Sequence, residues 1–240
     1  MPRTKIKTIL HTLLEGARAR HRTDGSAVTE TLRSAIVTGV LPPGAPLRQD
    51  LLASELGVSR MPIREGIRQL EAEGLVDFVP HRGAAVAPLR ADDVREIAEM
   101  RIALEGLALE RAFAAPFGGR LEEAERWLAQ IDAADLLSVR NQLNRRFHYA
   151  LYGVGPTMRL HRHLEMLYDS YERYLVVEHS QLDRRERSQS EHRAILVACV
   201  KGDRDKAASA LRAHIDGAAN ELIAYLGSLP PAPLRDAQTV

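Results

Sequence analysis

The chain has 240 residues, of which 45% are hydrophobic and 27% are charged, the composition of a globular protein with one or two domains. This composition excludes a disordered or collagen-like chain, and no apolar run approaches the ~20 residues that a membrane span needs. The single cysteine, Cys199, excludes an internal disulfide framework and indicates a reducing compartment such as the cytoplasm.

The net charge of +1 conceals an uneven distribution. Residues 1–87 carry 12 basic and nine acidic side chains, whereas the rest of the chain carries 21 and 23. Six cations and one acid, Glu15, fall within the first 22 residues, where apolar side chains recur at helical spacing. We interpret residues 1–25 as a basic N-terminal arm, although the composition also permits an organellar presequence.

Residues 26–87 predict a small α/β unit, because helical apolar stripes are followed by two short strand-like segments. The predicted elements are a helix from Ser26 to Gly39, helices over 49–56 and 60–73, and strands over 75–79 and 84–87. A Gly57-Val58-Ser59 turn joins the second and third helices, and residues 80–83 connect the strands. Two helices joined in this way and followed by a hairpin outline a winged helix-turn-helix.

The third of these helices carries side chains suited to reading duplex DNA. Arg60, Arg64 and Arg68 follow one another at four-residue spacing opposite the apolar stripe, and Ser59 stands at the helix start. Arginine contacts guanine and phosphate in bidentate fashion, and the second helix of such a pair enters the major groove. The hairpin tip adds three further candidates for DNA contact, His81, Arg82 and Gly83.

The pattern changes after residue 88, where strand-like segments end. We interpret residues 88–91 as a linker, 92–227 as an all-α effector-binding and dimerisation domain, and 228–240 as a flexible, proline-rich tail. Asp92 is the expected N-cap of the first helix. The predicted helices cover residues 92–114, 121–136, 138–152, 158–178, 184–200 and 203–226.

Three histidines are predicted on the inward faces of three different helices of this bundle. Asn144 and His148 are four residues apart and can direct both side chains to one point, His192 lies in an apolar stripe, and His214 lies among small residues. Neutral imidazole binds zinc, nickel, copper and iron, so the three rings could share a divalent cation. Taken singly, each histidine is better explained as a hydrogen-bonded core residue than as a metal ligand.

A series of short motifs runs through the segment from Leu32 to Val86. The motifs are AIVTG at 35–39, PG at 43–44, GVSR at 57–60, PIRE at 62–65, EGL at 73–75 and RG at 82–83. With these motifs the segment resembles the N-terminal domain of GntR-family bacterial transcription regulators. The resemblance implies that Ser59, Arg60, Arg64 and Gly83 contact operator DNA. Asp50 stands where some members carry a DNA-contacting arginine, so it receives no such role.

The helical part carries a second series, with FH at 147–148, EHRAI at 191–195 and RAHI at 212–215. In this order and spacing, residues 92–226 resemble the FCD effector domain of the FadR subfamily of GntR regulators. The resemblance implies a divalent metal ion, zinc or nickel first, with positions left for a small organic acid. The implied ligands are Asn144, His148, His192 and His214.

The effector is expected to be an anion. Asn144 stands where aspartate is commonest in the family, and a neutral ligand set leaves the metal its full charge of +2, which strengthens its pull on a carboxylate. Arg101 lies in a stretch that resembles the family's pocket-lining motif, or else pairs with Glu105 one turn further on. Arg145 and Tyr152 are further candidates for effector contact.

Together these features predict a cytoplasmic, homodimeric, DNA-binding transcription regulator that is not an enzyme and has no membrane partner. The expected mechanism is repression that ends when a small carboxylate binds at the metal-containing pocket. Two alternatives stay open. In the first, the divalent cation is itself the effector. In the second, the helical domain is a metalloenzyme fused to a DNA-binding head, although no general base is evident beside the histidines.

Overall fold

The computed structural model describes residues 3–21, 23–79, 83–182 and 184–228. In this part of the chain the structure has ten helices and one two-stranded antiparallel sheet. The elements are α1 (Arg3–Arg18), α2 (Asp24–Val37), α3 (Gln49–Leu56), α4 (Arg60–Ala72), β1 (Val76–Val79), β2 (Gly83–Val86), α5 (Ala91–Ala112), α6 (Arg120–Ala133), α7 (Leu137–Tyr152), α8 (Arg159–Gln181), α9 (Arg185–Val200) and α10 (Arg204–Ser228).

The first hydrophobic core lies between α1, α2, α3 and α4. Leu32, Ile63 and Ile67 are fully buried in it, and Leu10 and Leu14 of α1 enter the same cluster. The segment interpreted from sequence as an arm therefore contains a helix whose apolar stripe completes the core of the small N-terminal unit. Burying two leucine side chains contributes roughly 3–6 kcal/mol, which holds α1 on α2 and α3.

Two glycines permit the geometry of α3 and α4. Gly57 ends α3 with a φ of 65°, a left-handed conformation that turns the chain toward α4. Gly66 lies where α4 crosses α2, and a Cβ there would stand 3.1 Å from the Thr29 hydroxyl. The hairpin follows α4 with Val76 opposite Val86, so the predicted winged helix-turn-helix is confirmed.

Two predicted helix starts are wrong. Helix α2 begins before Ser26, because the Thr23 side chain accepts a hydrogen bond from the Ser26 amide and acts as the N-cap. Asp92 is not the cap of α5, since that helix begins at Ala91 after Arg90. Asp92 lies instead in the first turn, where an acidic side chain still favours the helix dipole.

The chain after residue 88 is helical in its described part, with no further strand, as predicted. Helix α10 packs against α5 and α9, and α6 packs against α9. No helix among the described residues is both long and apolar enough to cross a membrane. The domain boundaries inferred from the sequence stay a prediction.

The chain divides into two compact units. The first comprises Met1–Pro88, Ala134–Arg145 and Pro156–Val176, and the second comprises Leu89–Ala133, Arg146–Gly155 and Val177–Val240. The first unit therefore includes the beginning of α7 and most of α8 with the N-terminal elements. Within it, the Arg173 guanidinium of α8 donates a hydrogen bond to the Ala87 carbonyl at 3.1 Å.

Candidate functional site

The exposed face of α4 carries the arginines that the sequence singles out. Arg60, Arg64 and Arg68 are all exposed, while Ile63 and Ile67 on the opposite face are fully buried. Ser59 occupies the N-cap position without a capping hydrogen bond from its side chain. The helix start thus presents a hydroxyl and guanidinium groups to solvent, the arrangement that a major-groove reading helix requires.

Arg60 differs from the other two arginines because it has an acidic neighbour. Its Nε lies 2.5 Å from the Asp50 carboxylate at the beginning of α3, and both side chains are largely exposed. The residue that departs from the family pattern therefore holds one of the candidate DNA contacts. On the hairpin, Gly83 is exposed with a φ of 78°, whereas His81 and Arg82 lie outside the described residues.

A cluster of three histidines lies in the second unit. His148 of α7, His192 of α9 and His214 of α10 are all buried, and each offers a ring nitrogen within 4.8 Å of those of the other two. The ring centroids of His192 and His214 are 4.5 Å apart, and those of His148 and His192 are 5.2 Å apart. Three different helices thus bring three imidazoles to one point.

The hydrogen bonds around the cluster determine which nitrogen of each ring carries the proton. His192 Nδ1 lies 2.9 Å from the Gln189 side-chain oxygen, and His214 Nδ1 lies 2.9 Å from a Glu191 carboxylate oxygen. Both partner atoms are acceptors, so each Nδ1 carries the proton and donates it. The Nε2 atom of each of these rings then has its lone pair available.

His148 follows the same pattern through Tyr152. The Tyr152 hydroxyl donates its proton to Glu105 at 2.6 Å, so its oxygen accepts from His148 Nδ1 at 3.0 Å. The Nε2 atom of His148 is therefore also the unprotonated one. Hydrogen bonds of this kind orient histidine ligands of metal ions and raise their basicity.

Burial keeps the imidazoles of His148 and His192 neutral. Desolvation lowers the pKa of His148 to about 3, although the Glu105 carboxylate opposes this shift. Desolvation, followed by repulsion from His214 and His148, also lowers the pKa of His192 well below its usual value. Neutral imidazoles with buried lone pairs are ready for a metal ion without the loss of a proton. His192 Nε2 has no hydrogen-bond partner among the described residues.

Arg101 and Glu105 form a buried ion pair on α5, with 2.7 Å between Arg101 Nε and the carboxylate. Burial disfavours the charged carboxyl, but the Arg101 guanidinium and the Tyr152 hydrogen bond outweigh it and lower the pKa of Glu105 below its ordinary value. A continuous chain of contacts therefore leads from Arg101 through Glu105 and Tyr152 to His148. The second possibility that the sequence leaves open for Arg101, a pair with Glu105, is the one observed.

Asn144 and Arg145 lie on α7 just before the histidine. Asn144 is half-buried one turn before His148, so the two side chains share a face of the helix. Arg145 forms ion pairs with Asp169 at 2.6 Å and with Glu172 of α8, and Glu165 lies 3.6 Å away. These carboxylates balance its charge, and a contact of Arg145 with an effector stays a prediction.

The sequence analysis did not identify Gln189 and Glu191, two of the residues that fix the histidine rings. Gln189 precedes His192 by three residues and therefore shares its face, which is a signal that the sequence contains. Glu191 lies beside His192 in the chain but contacts His214 of another helix, and Arg184 holds it from the other side at 2.9 Å. The pKa of Glu191 is lowered because its bonds with His214, Arg184 and Arg187 outweigh the effect of burial. Only the packing of α9 on α10 reveals these contacts.

The structure thus defines a class: a winged helix-turn-helix with an arginine-bearing reading helix, joined to a helical domain with a buried three-histidine cluster. Residues 25–86 match the family described as bacterial regulatory proteins, gntR family, and residues 96–217 match the FCD domain. The chain belongs to the GntR family of bacterial regulatory proteins and carries an FCD domain, as its sequence motifs indicate.

Individual relatives agree with this assignment. The HTH-type transcriptional regulator YdhC of Bacillus subtilis is 31% identical over 77% of this chain and 84% of its own length. The HTH-type transcriptional repressor GlaR of Escherichia coli is 26% identical over 77% of this chain and 89% of its own. A crystal structure of a GntR-family regulator from Pseudomonas syringae pv. tomato is 32% identical, covers 94% of this chain and 95% of its own, and has a TM-score of 0.53.

Proposed function

We propose that the protein is a homodimeric repressor that leaves its operator when a small organic acid binds at a divalent metal ion in the helical domain. His148, His192 and His214 hold the ion through their Nε2 atoms, and Asn144 is a further ligand. The proposal rests on the family membership, on the E. coli relative that bears the name of a repressor, and on the buried histidine cluster. Operator binding places the protein with the chromosome, in the cytoplasm.

The observation that carries the metal site is the orientation of the three imidazoles. Each ring donates through Nδ1, to Tyr152, Gln189 and Glu191, and each therefore offers Nε2 as a lone-pair donor. Three imidazole nitrogen ligands suit zinc or nickel and leave positions on the ion for another molecule. A hydrogen-bonded core histidine would instead satisfy both ring nitrogens, which His192 does not do among the described residues.

Charge favours an anionic effector. The imidazoles contribute no negative charge, and Arg101 and Glu105 cancel each other as a buried pair. A bound divalent ion would therefore keep most of its charge of +2, which a carboxylate can balance. Arg101 is a candidate for this contact, because an effector carboxylate that reaches its guanidinium would share it with Glu105.

On the DNA side, the exposed arginines of α4 supply the contacts. Arg64 lies in the middle of the exposed face, and its replacement with alanine should weaken operator binding by roughly 1–3 kcal/mol if it contacts a base. Two heads in a dimer bind two half-sites whose separation is set by the DNA helix. An effector that favours a different separation of the heads therefore lowers operator affinity by linkage.

The metal site is tested by the metal content of the purified protein and of its His192→Ala variant. We expect about one divalent ion per chain, lost in the variant, and a thermal midpoint that rises when zinc or nickel is added to the stripped protein. A matched control is His163→Ala, which removes an exposed histidine of α8. Equal metal content in the His192→Ala variant and the native protein would refute the metal site.

The role of the effector is tested on a duplex selected from genomic DNA by the purified protein. Operator affinity is measured with chelator, with metal alone, and with metal plus each member of a panel of small carboxylates. We expect release only with metal and one acid together. Full release by metal alone would identify a direct metal sensor, and turnover of an added acid that disappears in the His192→Ala variant would identify a metalloenzyme.

A further inference from the structure

Helix α1 is an addition to the part of the chain that matches the GntR family. The match begins at residue 25, whereas α1 ends at Arg18. Leu10, Leu14 and Ala17 are nevertheless buried in the core that also supports α4. This packing fixes α1 to the winged helix-turn-helix, so the exposed face of α1 has a constant position relative to α4.

The exposed surface of α1 is basic. Lys7, His11 and Arg18 fall within roughly 40° of one another at about 100° per residue, so they form one edge along the helix. Lys5 and Arg20 are also exposed. Glu15 is the only acidic residue in the sequence from residue 3 to residue 21. A core-packing helix does not require this excess of positive charge on its solvent side.

The C-terminal end of this basic edge lies close to the reading helix. Arg18 Nε is 3.1 Å from the Asp24 carboxylate, at the first residue of α2. The next residue, Gly25, lies beside α4, where a Cβ would stand 4.0 Å from the Glu65 carboxylate. Glu65 directly follows Arg64 on α4. The end of α1 therefore reaches the flank of the helix that enters the major groove.

We propose that the basic edge of α1, with Arg20 just beyond it, binds the phosphate backbone of the DNA next to the groove that α4 reads. The ligand is duplex DNA, recognised by charge and not by sequence, so this surface extends the contact area without adding specificity. It would also strengthen the binding to non-operator DNA that precedes operator recognition. The proposal needs only the DNA binding that the family membership establishes, and it is independent of the metal site.

The test is the salt dependence of binding to a mixed-sequence duplex of about 30 base pairs, long enough to cover two half-sites and their flanks. The variant is Lys7→Gln/Arg18→Gln/Arg20→Gln. Each lost phosphate contact lowers the slope of log K against log salt concentration by about 0.9, so the expected reduction is up to about 2.7 for each bound chain and about 5.4 for a bound dimer. The matched control removes three exposed cations near the start of α10, as Lys201→Gln/Arg204→Gln/Lys206→Gln.

The control variant is expected to keep the native slope, and so is Arg18→Lys/Arg20→Lys, which preserves the charge. Arg64→Ala, measured in parallel on the selected duplex, should reduce discrimination between operator and mixed sequence, which the α1 variant should leave unchanged. An unchanged slope in the α1 variant overturns the proposal. An unchanged slope with weakened self-association in sedimentation would also overturn it and assign the basic edge to contact with a second copy of the chain.

Discussion

Replacing Arg101 with methionine is expected to destabilise the helical domain by about 3–5 kcal/mol, because it leaves the Glu105 carboxylate buried without its cation. Methionine has a similar length and no charge, so the change removes the ion pair with little loss of packing. Such a loss is a large part of the roughly 5–15 kcal/mol that stabilises a typical domain.

The magnitude follows from the depth of the pair. Arg101 is 5% exposed and Glu105 is 0% exposed, so solvent screens neither charge. Glu105 also accepts a hydrogen bond from Tyr152, but a hydroxyl is a neutral donor and cannot balance the charge. At about 2–4 °C per kcal/mol for a chain of this size, the thermal midpoint should fall by roughly 6–20 °C.

A double-mutant cycle provides the assay. Urea unfolding followed by circular dichroism gives the free energy of unfolding of the native protein, Arg101→Met, Glu105→Gln and the double variant. Because the second change neutralises the stranded charge, the double variant should recover at least about 2 kcal/mol relative to the sum of the single losses. Additive losses, or a cost of Arg101→Met below about 1 kcal/mol, would show that the pair does not carry this stability.

Three further predictions concern other parts of the chain. Asp50→Asn should strengthen DNA binding about two- to fivefold, because it releases Arg60 from an exposed pair and removes a negative charge near the phosphates. An unchanged affinity in a duplex titration would count against a DNA contact by Arg60. Burial raises the pKa of Glu172 although the Arg145 charge opposes this shift, so the ionised carboxyl is less favourable in the folded protein. The free energy of unfolding should therefore rise as the pH falls through the folded-state pKa. Urea unfolding from neutral to acid pH should show this gain in the native protein and a smaller gain in Glu172→Gln. Burial raises the pKa of Cys199 to about 11, so a thiol reagent near pH 8 should modify it only in denaturant, and rapid reaction of the folded protein would contradict its buried position.

The helices, the hairpin and the histidine cluster can be predicted from the sequence because the signals for them are local. Helical periodicity places His192 in the apolar stripe of α9 and Arg64 on the face of α4 opposite its own apolar stripe. The Gly57 turn marks the boundary between α3 and α4. Each of these signals is local, and periodicity requires only that a helix bury one face. The order of the motifs along the chain then identifies the family, and the resemblance to that family implies that the three histidines meet.

Contacts between side chains on different helices cannot be predicted from the periodicity of either helix. Arg145 is a reasonable effector candidate from its position beside Asn144, yet its charge is balanced by carboxylates 24 and 27 residues further on. The helical pattern of α1 is visible in the sequence, but a basic amphipathic helix is equally compatible with a free arm and with a core element. Only the packing of Leu10 and Leu14 separates these two possibilities.

Helix α7 contributes residues to both units. His148 lies in the part of α7 that belongs to the second unit, and Arg145, about one turn earlier, lies in the part that belongs to the first unit. The His148 ring joins the histidine cluster, whereas the Arg145 guanidinium pairs with Asp169 and Glu172 of α8. Neighbouring turns of one helix therefore serve different contacts, which the helical periodicity of α7 alone does not reveal.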